Sequence, residues 1–266
     1  MKRSKGMQLG AVLAAMLLVS MALVSVVSAQ TDTKGKKEIN SAKEMDELVN
    51  EISKYKQQGK NISSLLEKYN VTQETYSKKV FRLQRSADGY LIPVNESSTK
   101  TQGGDVTIQS GDYADLSVYI HQISIGSGWA TVDADWSWSS VETWGYRGTD
   151  DVVDLDWYAD KYVLTSRNLG GSGTYWAGVN SGVVAAYSPD ATTSGWMVIG
   201  LQRVSPDVIG DWTQVNINYH HTYGPAWQSM TLGVNAGGSG AQGSVSITLD
   251  PSGMWTKGDY SSFQIQ

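Results

Sequence analysis

From Leu116 to Leu249, apolar and polar residues alternate in one short run after another, and no helical spacing interrupts them. Successive side chains of a strand point to opposite faces, so such a pattern describes strands with one face buried. Leu116, Val118 and Ile120 alternate with Ser117, Tyr119 and His121. Ala130, Val132, Ala134, Trp136 and Trp138 alternate with Thr131, Asp133, Asp135 and Ser137. The same period recurs at Met197, Ile199 and Leu201, at Val215, Ile217 and Tyr219, at Met230, Leu232 and Val234, and at Val245, Ile247 and Leu249. Gly, Ser, Asn, Asp or Pro bounds each run, as turns require. The pattern predicts an all-β, antiparallel β-sandwich over residues 105–266, with a closed β-barrel as the alternative.

What precedes this region is different in kind. Residues 30–100 hold 13 Lys/Arg against 10 Asp/Glu and no tryptophan, whereas residues 101–266 hold 5 against 16 and all ten tryptophans. Met45, Leu48, Val49, Ile52 and Tyr55 follow the spacing of one helix face. Gly59 and Asn61 end that helix, and Ile62, Leu65, Leu66 and Tyr69 mark a second. A third is expected from Thr72, a capping residue with Glu74 at the helix start, through Tyr76, Val80 and Leu83. Residues 30–95 thus read as a helical pro-region or spacer, and the polar, Gly-ended stretch 96–104 as a linker. The run from Ile62 to Leu83 has helix-turn-helix spacing, but no nucleic-acid role is assigned to it, because the compartment argues otherwise.

That compartment is read from the first 29 residues. Lys2, Arg3 and Lys5 precede the apolar run from Leu9, and Val27-Ser28-Ala29 supplies small residues for cleavage after Ala29. The alternative is a retained anchor, since about 20 apolar residues span a bilayer. Both place the rest of the chain outside the membrane, secreted or on the cell surface. Cysteine is absent, which removes disulfides, thiolate metal sites and a cysteine nucleophile together. Three Asn-x-Ser/Thr sites, at Asn61, Asn70 and Asn95, are glycan acceptors wherever the host glycosylates exported chains.

The residues that resemble chemistry are carboxylates. Arg147 to Asp160, RGTDDVVDLDWYAD, carries five aspartates in fourteen residues. As a strand it turns Val153, Leu155 and Trp157 to one side and Asp154 and Asp156 to the other. Asp133 and Asp135 show the same spacing one strand earlier. Pairing of these two strands would bring four carboxylates to one face, where a calcium ion would relieve their repulsion. Asp133, Asp135, Asp150, Asp151, Asp154 and Asp156 are therefore the candidate ligands, with Asp150 and Asp151 placed at the loop end. A solvated strand face that discourages edge association is the plain alternative. A glycosidase-type carboxylate pair is the third. His121 and His220 fall on polar faces and His221 on an apolar one, with no metal-protease or nucleophile-elbow spacing around them.

Aromatic usage is skewed: ten Trp and fourteen Tyr stand against two Phe. Rings with a polar tip suit half-wet positions at ligand sites, interfaces and membrane surfaces. Two loops display them, one with Trp144 and Tyr146, the other with Tyr223 and Trp227, and these four are the candidate ligand-binding residues. The leading expectation is an exported, non-catalytic module that binds extracellular carbohydrate, protein or envelope material. A membrane-acting β-protein of the cytolysin type is the alternative, and a hydrolase using the aspartates the third.

Overall fold

The computed structural model describes residues 35–86, 89–94, 113–126, 128–139, 149–189, 192–224, 229–250 and 253–266. The signal or anchor segment 1–29, the linker 96–104, Asn95, and the loop residues Trp144, Tyr146 and Trp227 lie outside the described residues. Among these residues two α-helices, α1 (Ala42–Gln57) and α2 (Ser63–Leu66), precede thirteen strands. These are β1 (Val71–Arg85), β2 (Leu91–Pro93), β3 (Tyr113–Ile125), β4 (Trp129–Trp138), β5 (Asp151–Trp157), β6 (Tyr162–Gly171) and β7 (Tyr175–Asn180). They continue as β8 (Val183–Ser188), β9 (Ser194–Arg203), β10 (Trp212–Thr222), β11 (Ser229–Asn235), β12 (Ser244–Asp250) and β13 (Met254–Gln264).

Every pairing between the described strands is antiparallel, and the strands form the expected sandwich. One sheet runs β2-β1-β3-β4-β9-β6, the other β13-β10-β5-β8-β7, and β11 pairs with β12 as a separate ribbon. Both sheets keep their edges, so the barrel is not formed. The alternation read from the sequence is the one that packs. Leu116, Val118, Ile120, Val132, Ala134, Trp136, Met197, Ile199 and Leu201 of the first sheet face Val153, Leu155, Trp157, Val215, Ile217 and Tyr219 of the second in one buried cluster.

The two helices expected before residue 70 are present. Ser41 caps α1, its hydroxyl accepting from the Glu44 amide at 3.3 Å. Met45, Leu48, Val49 and Ile52 form the buried stripe, packed with Ile123, Ile125, Trp129, Trp196 and Val198 on the outer face of the first sheet. Four such side chains contribute about 1.5–3 kcal/mol each, so packing rather than intrinsic propensity holds this helix in place. The close seat depends on Gly200, where a Cβ would come within 2.4 Å of Met45 Cγ.

The third helix is not formed. Residues 71–85 are β1, paired along its length with β3, from Val71 beside Ile125 to Gln84 beside Tyr113. The Tyr76 and Val80 that suggested a helix stripe are 55% and 57% exposed, on the outer side of this strand. Pairing with β3 and a content rich in Val, Thr, Tyr and Phe override the local spacing. The helix-turn-helix geometry disappears with it. Residues 71–94 therefore supply two strands to the larger sheet.

Candidate functional site

The convergence of carboxylates on which a calcium site depended does not occur, because β4 and β5 never pair. β4 lies between β3 and β9, and β5 lies between β10 and β8, in the opposite sheet. Asp133 and Asp135 occupy the outer face of the first sheet, under the last turn of α1. There Lys56 forms an ion pair with Asp133 and another with Asp135 Oδ2 at 2.7 Å. Burial raises the Asp133 carboxyl to about 6, with the Lys56 ammonium opposing the shift and Asp135 adding to it. A cleft of about 570 Å3 opens beside this clamp, lined by Lys56, Asp135, Ser137, Ser172, Ser194 and Trp196 among others.

The acidic stretch itself divides. Asp150 is half-exposed and accepts a hydrogen bond from the Tyr175 hydroxyl at 2.8 Å. Asp151 points into one end of the sandwich. The Tyr219 hydroxyl donates to it at 2.6 Å and the Thr222 amide at 2.8 Å, and His221 Nδ1 lies 3.0 Å away. Burial, and then the Asp151 charge, push the Tyr219 phenol well above its usual range. His221 is the hydrogen-bonded histidine on the apolar face that alternation indicated, 4.9 Å from the Trp255 ring. Tyr223, the one candidate ligand aromatic among the described residues, is half-buried with its ring 5.0 Å from Tyr90.

Asp154 and Asp156 sit on the outer face of the second sheet, as alternation requires, yet they are not solvated. They are 1% and 6% exposed, which corrects the expectation of a wet strand face. The groups around them are distant in sequence: the β11–β12 ribbon docks on β7 and β8, and Gln242 in its connecting loop bridges Tyr158 and meets Asn216 and Gln214 of β10. His220 Nε2 meets Asp154 Oδ2 at 2.6 Å, while His220 Nδ1 meets the Thr256 hydroxyl at 2.8 Å. Asn218 Nδ2 donates to Asp154 Oδ1 at 3.1 Å and to Asp156 Oδ2 at 2.8 Å. Asn216 Nδ2 donates to Asp156 Oδ1 at 2.7 Å and to Gln242 Oε1 at 3.0 Å. Each carboxylate oxygen therefore has a partner, as buried charge demands. Burial first, and the neighbouring Asp154 second, raise the Asp156 carboxyl to about 7. His121 belongs to the other sheet and pairs with Glu74 at 2.6 Å, so it does not meet His220. Among the described residues no three His, Asp or Glu side chains group as an ion site.

Beyond the ribbon, the outer face of β10 and the edge strand β13 lies open. Trp212 is 64% exposed and Tyr260 50% exposed, with Gln214, Asn216 and Asn218 half-exposed between and beside them. Trp212, Gln214 and Tyr260 are not among the candidate ligand residues read from the sequence. The signal was present in the polar partners of an already recognised alternation: Trp212, Gln214, Asn216, Asn218 and His220 are the outward set of the strand whose inward set is Val215, Ile217 and Tyr219.

No protein-family model matches the chain, and no curated protein matches it. Among solved structures it is similar to the sixth cohesin module of scaffoldin B from Acetivibrio cellulolyticus, seen in complex with a Cel5 dockerin mutant. The two are 14% identical, over 38% of this chain and 79% of that one, with a TM-score of 0.26.

Proposed function

We propose that this chain is an exported, non-catalytic module that binds extracellular material through the outer face of β10 and β13. The observation that carries the reading is the pair of exposed rings, Trp212 and Tyr260, fixed on a rigid sheet beside a row of half-exposed amides. Two large rings, 64% and 50% exposed on one face of a well-packed sheet, form a surface suited to contact. The carboxylates nearby support a binding role over hydrolysis, because Asp154 and Asp156 are covered and their oxygens are engaged by Asn216, Asn218 and His220. Export rests on the leader composition of residues 1–29.

The test is retention of the purified chain on cell-envelope preparations, insoluble polysaccharides and immobilised extracellular proteins. Retention that falls in the Trp212→Ala/Tyr260→Ala double variant, with melting unchanged, supports the reading. Retention identical in parent and variant overturns it.

A membrane-acting role draws on one feature, the ribbon β11–β12. Met230, Leu232 and Val234 pair with Leu249, Ile247 and Val245 along one face, and Ser, Thr and Asn with Gly233 and Asp250 fill the other. Its strands have seven residues each, short of the roughly 9–11 that cross a bilayer. Dye release from zwitterionic vesicles would favour this second reading, and intact vesicles would count against it.

A further inference from the structure

Resting on the binding-face reading above, the geometry points to a ligand class. We propose that the outer face of β10 and β13 is a subsite for a neutral polysaccharide segment lying along β10. Trp212 and Tyr260 serve as its stacking planes, and the Asn218 carbonyl as a fixed acceptor for sugar hydroxyls.

Five rungs of side chains cross this face. Trp212 stands beside Gln264, Gln214 beside Ser262, Asn216 beside Tyr260, Asn218 beside Gly258, and His220 beside Thr256. The two rings occupy the first and third rungs, on neighbouring strands. At ~3.4 Å per residue they are separated by ~14 Å along β10, a span filled by a few sugar rings end to end. Between them stand Gln214 and Ser262, and beside them Asn216 and Asn218, all neutral hydrogen-bonding groups.

Those groups are oriented before any ligand arrives. Both amide hydrogens of Asn218 are committed to Asp154 and Asp156, and both of Asn216 to Asp156 and Gln242. An amide whose NH2 is held inward presents its carbonyl oxygen outward, so Asn218 Oδ1 becomes a fixed acceptor. It lies where β13 carries Gly258; a Cβ built on that glycine would stand 2.7 Å from Asn218 Oδ1. The missing side chain keeps the acceptor uncovered. Asn216 Oδ1 accepts from Gln214 Nε2, which extends the same ordered row toward Trp212. The buried carboxylates thus act through the amides as positioning groups.

A matching ligand brings hydroxyl donors and flat C–H faces in a repeating chain. Charge narrows the choice further. Residues 101–266 carry 5 Lys/Arg against 16 Asp/Glu, so an anionic polymer meets repulsion. Two cations near this face are already paired: Lys79 is held by Asp259 at 3.0 Å and lies over the Tyr260 ring at 5.6 Å, and Lys161 is held by Asp211 beside Trp212. A protein partner would want a contiguous apolar centre, whereas here the polar Gln214–Ser262 rung separates the two rings.

The test is affinity electrophoresis of the purified chain in gels containing a soluble neutral glucan or mannan, with alginate as the anionic comparison, and a glycan array beside it. The expected result is retardation by neutral chains and not by alginate, with affinity about tenfold weaker after Trp212→Ala or Tyr260→Ala. Trp212→Phe should retain most of the binding, which separates loss of a stacking plane from loss of the fold. Face-dependent retention on envelope material without any neutral-glycan binding would overturn the glycan assignment and leave the binding-face reading standing. Glycan binding unchanged in both alanine variants would overturn the assignment of this face and that reading together.

Discussion

Asp156→Asn should make the protein more stable at neutral and alkaline pH, and the gain should disappear in acid. In the folded chain, burial and the Asp154 charge hold the Asp156 carboxyl at about 7, against an ordinary value of 3.8. The folded state therefore keeps a proton that the unfolded state has already released. The stabilising contribution of this group is complete below about pH 4, declines as pH rises through the interval, and is lost above about pH 7. A shift of about 3 units at ~1.36 kcal/mol each sets a ceiling of ~4 kcal/mol on what ionisation costs the fold. The asparagine removes that cost, but it brings an NH2 group to where Asn216 or Asn218 donates, a mismatch of about 1–2 kcal/mol. Relative to the parent, the variant should be less stable by about 1 kcal/mol near pH 4 and more stable by about 2–3 kcal/mol near pH 8. Urea unfolding of both proteins across that range measures the difference. For a domain of this size each kcal/mol also moves the melting temperature by roughly 2–4 °C. A stability difference that stays level from acid to alkaline pH would show that ionisation of Asp156 is not what the fold resists.

Three further outcomes test the packing. Lys56→Met should cost about 3–5 kcal/mol in urea unfolding, because it leaves Asp133 buried without its cation; adding Asp133→Asn to the same chain should recover most of the loss. Gly195→Ala places a Cβ 2.2 Å from the buried Trp136 ring and should lower stability by about 1–3 kcal/mol, read by thermal melting. Asp151→Asn weakens the acceptor of the Tyr219 hydroxyl and the Thr222 amide and should cost about 1.5–3 kcal/mol by the same measurement.

The inward face of each central strand was legible because alternation is a local property. Val153, Leu155 and Trp157 could be assigned to the core from their own spacing, as could Val215, Ile217 and Tyr219. What alternation does not encode is the sheet a strand joins. β4 and β5 are consecutive in the chain, yet one lies in each sheet, so a cluster of carboxylates that looked contiguous is divided by the thickness of the core. β1 was misread for a related reason. Tyr76, Val80 and Leu83 have a helix-like interval, but the pairing with β3 that decides their structure begins some thirty residues later.

The carboxylates show most clearly what local reading leaves out. Alternation puts Asp154 and Asp156 on the outer face, where they do lie, but an outer position does not make them wet: both are buried. Their partners Asn216, Asn218 and His220 lie 60–66 residues further on, just as the cation that holds Asp133 comes from Lys56, 77 residues earlier. A buried carboxylate pair is a poor source of stability, since apolar replacements of buried ions often stabilise a fold. An Asp156 carboxyl raised to about 7 means that the native face stays ionised at alkaline pH against a free-energy penalty. Strongly perturbed groups of this kind concentrate where a fold gives up stability for function. On the proposed binding face the two carboxylates hold the amides of Asn216 and Asn218 in the strand row that begins at Trp212. The stabilising substitution Asp156→Asn should for that reason be the one that loosens the amide row, so its gain in stability and its loss of ligand affinity are two readings of the same hydrogen bonds.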